Sequence, residues 1–341
     1  MRRELVCSAA PAGSRFQTRV AELKPPDNDD VLVRVSAASV NPIDVKRAQG
    51  YGRRLLALKG VKYPDAVLGN DLAGVVDTVG RRAAGFAPGQ RVYGLVNTGK
   101  RGGSHASHVI VPSSQLLLAP EPFDAMQLTA LPYSFTTVWL ALHGIGLDAG
   151  NSVQKRILIN GASGGLGQLA LQLLRLWQCD VTAICGPARQ EAVRLHGPSQ
   201  VVLRAPGAIE GLPAHFDGVL NFGNWDDDPA LASRLNARAL GHATTVHPLL
   251  ANFDAGTWLG GAWNNYRAWK AMRRHVAEQA PAARYAWTVF RPSAAALNAL
   301  GSLVQAKQIS LPIGIAVPFE KAQAAFEHVR SEIPGRAILL P

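Results

Sequence analysis

Ile157-Leu-Ile-Asn-Gly-Ala-Ser-Gly-Gly-Leu-Gly-Gln-Leu-Ala-Leu-Gln-Leu-Leu-Arg175 is an apolar run that breaks into a glycine turn and resumes with helical spacing. That order predicts a strand, a phosphate loop and a helix. Glycines suit a tight turn, a close approach of backbone N–H groups to a pyrophosphate, and packing of the new helix on the strand. The helix N-terminus adds unpaired donors and a positive dipole end. Gly161, Ala162, Ser163, Gly164, Gly165, Leu166 and Gly167 are therefore the candidate dinucleotide-binding residues. Against G-x-G-x-x-G the match is Ala162-x-Gly164-x-x-Gly167, with alanine for the first glycine, so a glycine turn without a ligand stands as the alternative.

The next strand, Asp180-Val-Thr-Ala-Ile-Cys185, ends about twenty residues past the glycines, where an NAD site places Asp or Glu on the ribose 2′-hydroxyl. Cys185-Gly186-Pro-Ala-Arg189 stands there instead. Without a carboxylate to repel a 2′-phosphate, and with Arg189 able to pair with it, NADPH is expected over NADH. Cys185, Gly186 and Arg189 join the cofactor candidates, the alternative for Arg189 being a solvated residue on the following helix.

Hydrophobic residues make up 48% of the 341, which is ordinary for a globular protein of two domains and excludes disordered and collagen-like classes. No apolar stretch approaches the roughly 18 uncharged residues of a membrane span, and Leu5-Val-Cys7 is too short for a secretory signal. A cytoplasmic protein without membrane insertion is expected. The three cysteines lie apart, with no C-x-x-C pair, and are expected as buried thiols. A net charge of +11 favours an anionic partner, be it a phosphorylated cofactor, nucleic acid or a membrane surface.

Short β patterns fill the first 125 residues: Val31–Val35, Leu72–Val76, Arg91–Leu95 and His108–Val111. From Ala125 strands alternate with helices, expected at 127–143 (helix), 157–160 (strand), 166–177 (helix), 181–185 (strand), 188–196 (helix), 216–221 (strand), 229–239 (helix) and 242–246 (strand). That alternation implies an α/β fold with a doubly wound parallel sheet. After a helix near 265–278, Tyr285–Phe290 reads as a further strand. A helix at 293–306, a strand at 312–317, a helix at 319–329 and a strand at 336–340 follow.

Val33-Arg-Val-Ser-Ala-Ala-Ser-Val-Asn-Pro-Ile-Asp-Val-Lys46, Gly69-Asn-Asp-Leu-Ala-Gly-Val-Val76, Phe86-Ala-Pro-Gly-Gln-Arg-Val92 and the glycine turn occur in that order. Together they resemble the medium-chain dehydrogenase/reductase superfamily, in its zinc-independent quinone oxidoreductase branch, over nearly the whole chain. Gln49-Gly-Tyr-Gly52 and Leu131-Pro-Tyr133 are similar to the reticulon-interacting mitochondrial NADPH oxidoreductases within it. The resemblance implies a GroES-like β-barrel catalytic domain, residues 1–125 and 292–341, and a Rossmann NADPH-binding domain, residues 126–291. It also implies a homodimer.

Zinc-dependent members of the superfamily keep a cysteine where Asn41 stands here and a histidine where Asn70 stands. Amides are poor zinc ligands, so no metal is expected. His105 and His108 read as an isolated pair without a third ligand. By resemblance, Asn41 and Thr137 lie near the nicotinamide, where an amide or hydroxyl can bond the cofactor or a carbonyl acceptor. Asp44 is placed to fix Asn41 or relay a proton, against the alternative that Asn41-Pro-Ile-Asp44 is only a turn and helix cap. Tyr51 and Tyr133 are the other catalytic candidates, as proton donors or as cleft wall. Arg336, in Pro334-Gly-Arg336, resembles the family's basic residue before the last strand and is expected at the phosphates, with Arg330 as its neighbouring alternative. Leu203 stands where many relatives have a tyrosine at the adenosine end.

Trp258–Arg274 interleaves aromatic and cationic residues. Single-stranded nucleic acid could stack there. More simply, Arg267, Lys270 and Arg274 form one helical face and Trp269, Met272 and Val276 another, an amphipathic helix that docks its apolar side and keeps a solvated basic side. The expected activity is hydride transfer from NADPH to a quinone or an α,β-unsaturated carbonyl, with nucleic acid not required. The alternative is a catalytically weak nucleotide-dependent binding protein that presents a basic surface to RNA or membrane.

Overall fold

The computed structural model describes residues 1–10, 13–63, 65–122 and 124–341, and the chain divides into two units, Met1–Tyr133 with Arg291–Pro341, and Ser134–Phe290. The first unit opens with β1 (Arg2–Ala10) and β2 (Gly13–Ala21), an antiparallel pair absent from the sequence expectation. Its charged residues hide the strand pattern: Glu4 is buried in β1 because Arg2 and Arg19 both pair with it.

β3 (Asp30–Val40) is buried at nearly every position, since it is paired along its length and packed on both faces. It leads into α1 (Pro42–Ala48) and α2 (Arg53–Leu58). β4 (Ala66–Val67), β5 (Asp71–Val79), β6 (Arg91–Leu95), β7 (His108–Pro112) and β8 (Leu116–Leu118) follow. Val31, Val33, Leu72, Val76, Val92, Val109 and Val111 form the interior.

The helix expected over 127–143 is two helices, α3 (Ala125–Thr129) and α4 (Pro132–Gly144). Pro132 has no N–H to continue the first helix, but its fixed φ suits the first position of the second.

In the second unit β9 (Arg156–Asn160), α5 (Gly165–Leu176), β10 (Asp180–Cys185), α6 (Gln190–Arg194) and β11 (Gln200–Leu203) come first. β12 (Gly218–Asn221), α7 (Asp228–Ala232), β13 (Gly241–Thr244), α8 (Leu249–Ala255), α9 (Trp258–Gln279) and β14 (Arg284–Trp287) complete it. All six strands are parallel, in the order β11-β10-β9-β12-β13-β14. That is the Rossmann order, with the reversal beside β9, whose C-terminal end carries the glycine turn.

α7 ends well short of the expected 239. The Ser233 hydroxyl turns back to the Pro229 carbonyl (3.1 Å), and Asn236 bonds Asp217 (2.8 Å) rather than continuing a helix. α9 begins earlier than expected, where Thr257 caps it by accepting the Gly260 N–H (3.0 Å). Among the described residues no helix is long and apolar enough to cross a membrane.

The chain then returns to the first unit with α10 (Ala294–Gln305), β15 (Ile313–Pro318), α11 (Ala322–Arg330) and β16 (Arg336–Leu340). β16 pairs antiparallel with β3, Ala337 opposite Val40, and completes a seven-stranded sheet. This places Arg336, first residue of β16, close to Asn41, the residue that follows β3.

Candidate active site

The turn after β3 is fixed from both sides. Asn41 is the N-cap of α1 with Pro42 as its first helical residue. Asp44, one turn on, accepts the Asn41 N–H (2.9 Å) through Oδ2 and the Gly69 N–H (3.1 Å) through Oδ1. The capping alternative is therefore present, and it joins α1 to the start of β5. Gly69 has φ +97°, and a Cβ there would lie 2.4 Å from Ser104 Oγ and 2.5 Å from His105 Cδ2.

Beyond Gly69, Asp71 is fully buried and is bonded from three segments, β3, the Asn41 turn and α4. Its Oδ2 accepts the Ser39 hydroxyl (2.6 Å) and an Asn41 Nδ2 hydrogen (2.8 Å), and its Oδ1 accepts the Tyr133 N–H (2.5 Å). Tyr133 lies in the first turn of α4, where backbone N–H groups have no helical partner, so the carboxylate also caps that helix. Burial raises the Asp71 carboxyl to about 6, against the opposing pull of Arg336, Ser39, Asn41 and the Tyr133 N–H.

The second Asn41 Nδ2 hydrogen goes to Ser39 Oγ (3.2 Å), and Arg336 Nη2 donates to Asn41 Oδ1. With a carboxylate on one end and a guanidinium on the other, the amide has only one consistent orientation. Both its hydrogens are committed inside the protein, to Asp71 Oδ2 and Ser39 Oγ. Arg336, expected at the phosphates, instead lies buried in this cluster, because a carboxylate as deep as Asp71 needs a counter-charge. Arg330 is an exposed partner of Glu327 on α11.

Asn70 is held in the same way. Arg47 Nη1 donates to its Oδ1 (2.8 Å), and its amide donates to Thr98 Oγ1 (3.4 Å). Tyr133 is half-buried beside these groups. Burial pushes its hydroxyl up to about 12, Arg47 pulling it down and Asp44, Asp71 and Tyr51 adding to the rise. Tyr51 carries the Lys46 ammonium 5.8 Å from its ring centre.

The first unit thus brings Asn41, Asp44, Tyr51 and Tyr133 together and adds Ser39, Arg47, Asp71 and Arg336. Asp71 and Arg47 were missed as site residues. A charged residue opening the apolar run Leu72–Val76 was the available signal for Asp71, and the spacing of three from Asp44 along α1 was that for Arg47. His105 Nε2 lies 3.0 Å from the Ser39 carbonyl, and burial lowers its pKa, so it is the neutral donor there. His108 Nδ1 faces the Ser107 hydroxyl (3.1 Å). Among the described residues no three His, Cys, Asp or Glu side chains converge as a metal site.

In the second unit the glycine turn divides its labour. Gly161 has φ +80°, and a Cβ there would lie 2.9 Å from Gly223 N. Gly164 is the extended N-cap of α5 and offers no side chain to its first turn, which leaves that turn's N–H groups facing outward for an anion. A Cβ on Gly167 would lie 2.4 Å from Gly161 O and 2.5 Å from Ala162 Cα. Ala162, in place of the motif's first glycine, buries its methyl completely, and the Ser163 carbonyl accepts from Gln168 Nε2 (2.8 Å). Thr137 is buried on α4.

At the end of β10, Cys185 is buried, which raises its thiol, and its carbonyl accepts the Arg204 N–H (2.9 Å). Gly186 opens a single 3-10 turn, Pro187–Arg189, that takes the place of the first turn of the expected helix and leaves Arg189 half-buried at the N-cap of α6. Leu203 is exposed at the end of β11.

Behind the glycine turn lies a polar network whose members went unread in the sequence. Asn160 Nδ2 bonds Asn221 Oδ1 (3.0 Å) and Asp227 Oδ2 (2.9 Å). Asp228 accepts from Asn221 (2.7 Å) and from the Tyr285 hydroxyl (2.8 Å) and faces His242 Nε2 (3.0 Å). Burial alone would raise Asp228, but His242 with these hydrogen bonds holds it below the usual carboxylate range.

The alcohol dehydrogenase GroES-like domain family matches residues 27–121. Human mitochondrial NAD(P)H oxidoreductase RTN4IP1 is 32% identical over 331 residues, covering 91% of this chain and 81% of its own. A chloroplastic quinone-oxidoreductase homolog of spinach is 34% identical over 180 residues, 52% of this chain and 53% of its own. The quinone oxidoreductase structure from Coxiella burnetii superposes with a TM-score of 0.80 at 18% identity, covering both chains fully. The cytoplasmic expectation is corrected here, because the human, bovine, mouse and fly relatives are all named mitochondrial.

Proposed function

The chain belongs to the quinone oxidoreductase-like branch of the medium-chain dehydrogenase/reductase superfamily, and on that premise we propose a zinc-independent, NADPH-dependent oxidoreductase that reduces a quinone or an α,β-unsaturated carbonyl. One observation carries this reading. At both positions where the zinc-dependent members keep a metal ligand, an asparagine oxygen accepts a hydrogen bond from an arginine, Asn41 from Arg336 and Asn70 from Arg47. Each guanidinium occupies the amide oxygen that a cation would need as a ligand, and its positive charge beside that oxygen opposes a divalent ion there.

Residues of the second unit fit a dinucleotide. The first-turn N–H groups of α5 would hold the pyrophosphate, with Gly161 and Gly167 keeping the approach open. Arg189 would pair with the 2′-phosphate, beside Cys185 and Gly186, and Thr137 would contact the nicotinamide. The cofactor, when bound, supplies the hydride.

Asp71 fixes the Asn41 amide and the N-terminus of α4, and with that the position of Tyr133. The Tyr133 hydroxyl, protonated at neutral pH as tyrosine ordinarily is, donates a hydrogen bond to the acceptor oxygen. Tyr51 flanks it. The working form we take to be a homodimer, as the resemblance implies.

Purified protein mixed with NADPH or NADH and a panel of quinones and enones, followed by cofactor absorbance, tests the reading. NADPH oxidation with at least one acceptor is expected. Tyr133→Phe should lower kcat/KM about tenfold, the worth of one neutral hydrogen bond. Nucleotide retained without oxidation across the panel would instead favour a binding protein.

A further inference from the structure

α9 is only half accounted for by its packing. Gly261, Asn265, Met272 and Val276 are buried and seat it on its own unit. Trp269, expected on that apolar face, is exposed. The opposite face presents Leu259 at 85%, Trp263 at 59% and Tyr266 at 47% exposure. On the same helix lie Arg267, Lys270, Arg273 and Arg274 against the single acid Glu278.

We propose that this face of α9 is a docking surface for an anionic lipid bilayer, the helix lying in the plane of the headgroups. The inference is independent of the reaction proposed above. Its basis is charge complementarity combined with residue type. Trp and Tyr sit at the membrane–water interface, Leu reaches the acyl boundary, and Lys and Arg flank them to meet lipid phosphates. The chain's overall charge of +11 adds long-range attraction to such a surface.

Base stacking, which single-stranded nucleic acid would need, is less well served. Lys270 Nζ already lies 5.4 Å over the Tyr266 ring, and Trp263 packs beside it with ring centroids 5.8 Å apart. Rings paired in this way keep their edges available to an interface while their faces are partly taken.

The test is co-sedimentation of the full chain with phosphatidylcholine vesicles, with and without phosphatidylglycerol. Two variants are compared, Leu259→Ala with Trp263→Ala, and Arg267→Glu with Lys270→Glu. All four side chains are exposed, so an unchanged melting temperature verifies the fold. Retention is expected on the anionic vesicles only, weakened by salt, and reduced at least about tenfold in each variant. The proposal is overturned by absence of retention on anionic vesicles, whether or not single-stranded RNA is retained. It is equally overturned if the Leu259/Trp263 variant binds as well as the parent, which would mean charge adsorption alone. Dissociation of an oligomer by that variant, without vesicle binding in the parent, would assign the face to a second copy.

Discussion

Between Gly161 and Gly167 the second unit's candidate site is made by backbone, over consecutive residues, and works by what is missing: a Cβ at either end would meet main-chain atoms at 2.9 Å or less. Around Asp71 the first unit's cluster is made by side chains from β3, α1, β5 and β16 with one backbone N–H of α4, and works by what is added, each polar group satisfying another. Both are rigid, but for different reasons. The loop is held by steric exclusion, which a single methyl breaks. The cluster is held by mutual neutralisation, in which removing one member leaves another charged and alone.

The largest effect should follow from breaking that neutralisation. Arg336→Met leaves Asp71 buried without its counter-charge and should lower stability to urea by about 3–5 kcal/mol. A loss no larger than that of an exposed pair, such as Arg274→Met opposite Glu278, would mean that the cluster is held by its neutral hydrogen bonds alone.

Next comes pH. Asp71 is raised from 3.8 to about 6 in the folded protein, so it binds its proton more tightly folded than unfolded. The stability it contributes is complete below its unfolded value and is lost as pH rises through about 6. Its size is on the order of 3 kcal/mol. Urea midpoints compared across that range should show the loss in the parent and not in Asp71→Asn; parallel profiles would refute the assignment.

Gly167→Ala sharpens the comparison from the other side. Its methyl meets Gly161 O and Ala162 Cα, an overpacking worth about 1–3 kcal/mol, so a phosphate loop displaced at that cost should lower NADPH affinity between about 5- and 150-fold. The pH profile of stability should keep its Asp71 component, because the partners of Asp71 named above all belong to the first unit. Unchanged NADPH affinity would remove the loop from the phosphate site.

The same contrast explains what could be read in advance. The loop was legible because strand, turn and helix follow one another, and the apolar period changes within a dozen residues around it. Asn41 and Asp44 were legible for the same reason, as neighbours across a proline turn. Arg336 and Asn41 lie 295 positions apart and Asp71 lies 30 from Asn41, so no spacing rule connects them, and the resemblance alone placed Arg336 at the phosphates. The β1–β2 pair was missed because Glu4 and Arg19 break the apolar alternation while pairing with each other at 2.7 Å. β11 was missed because its four residues, Gln200–Leu203, are too few to show a period. The polar network on Asp228 sits on strands whose neighbours are apolar, and the sheet register, rather than any sequence run, makes Asn160 and Asn221 adjacent.

Two arginines in the place of two metal-ligand contacts are the centre of the account, and metal dependence tests them most directly. NADPH oxidation with a responsive quinone or enone should be followed before and after exhaustive chelation, and again after added zinc. The account predicts one rate under all three conditions. A rate lost on chelation and restored by zinc would contradict it.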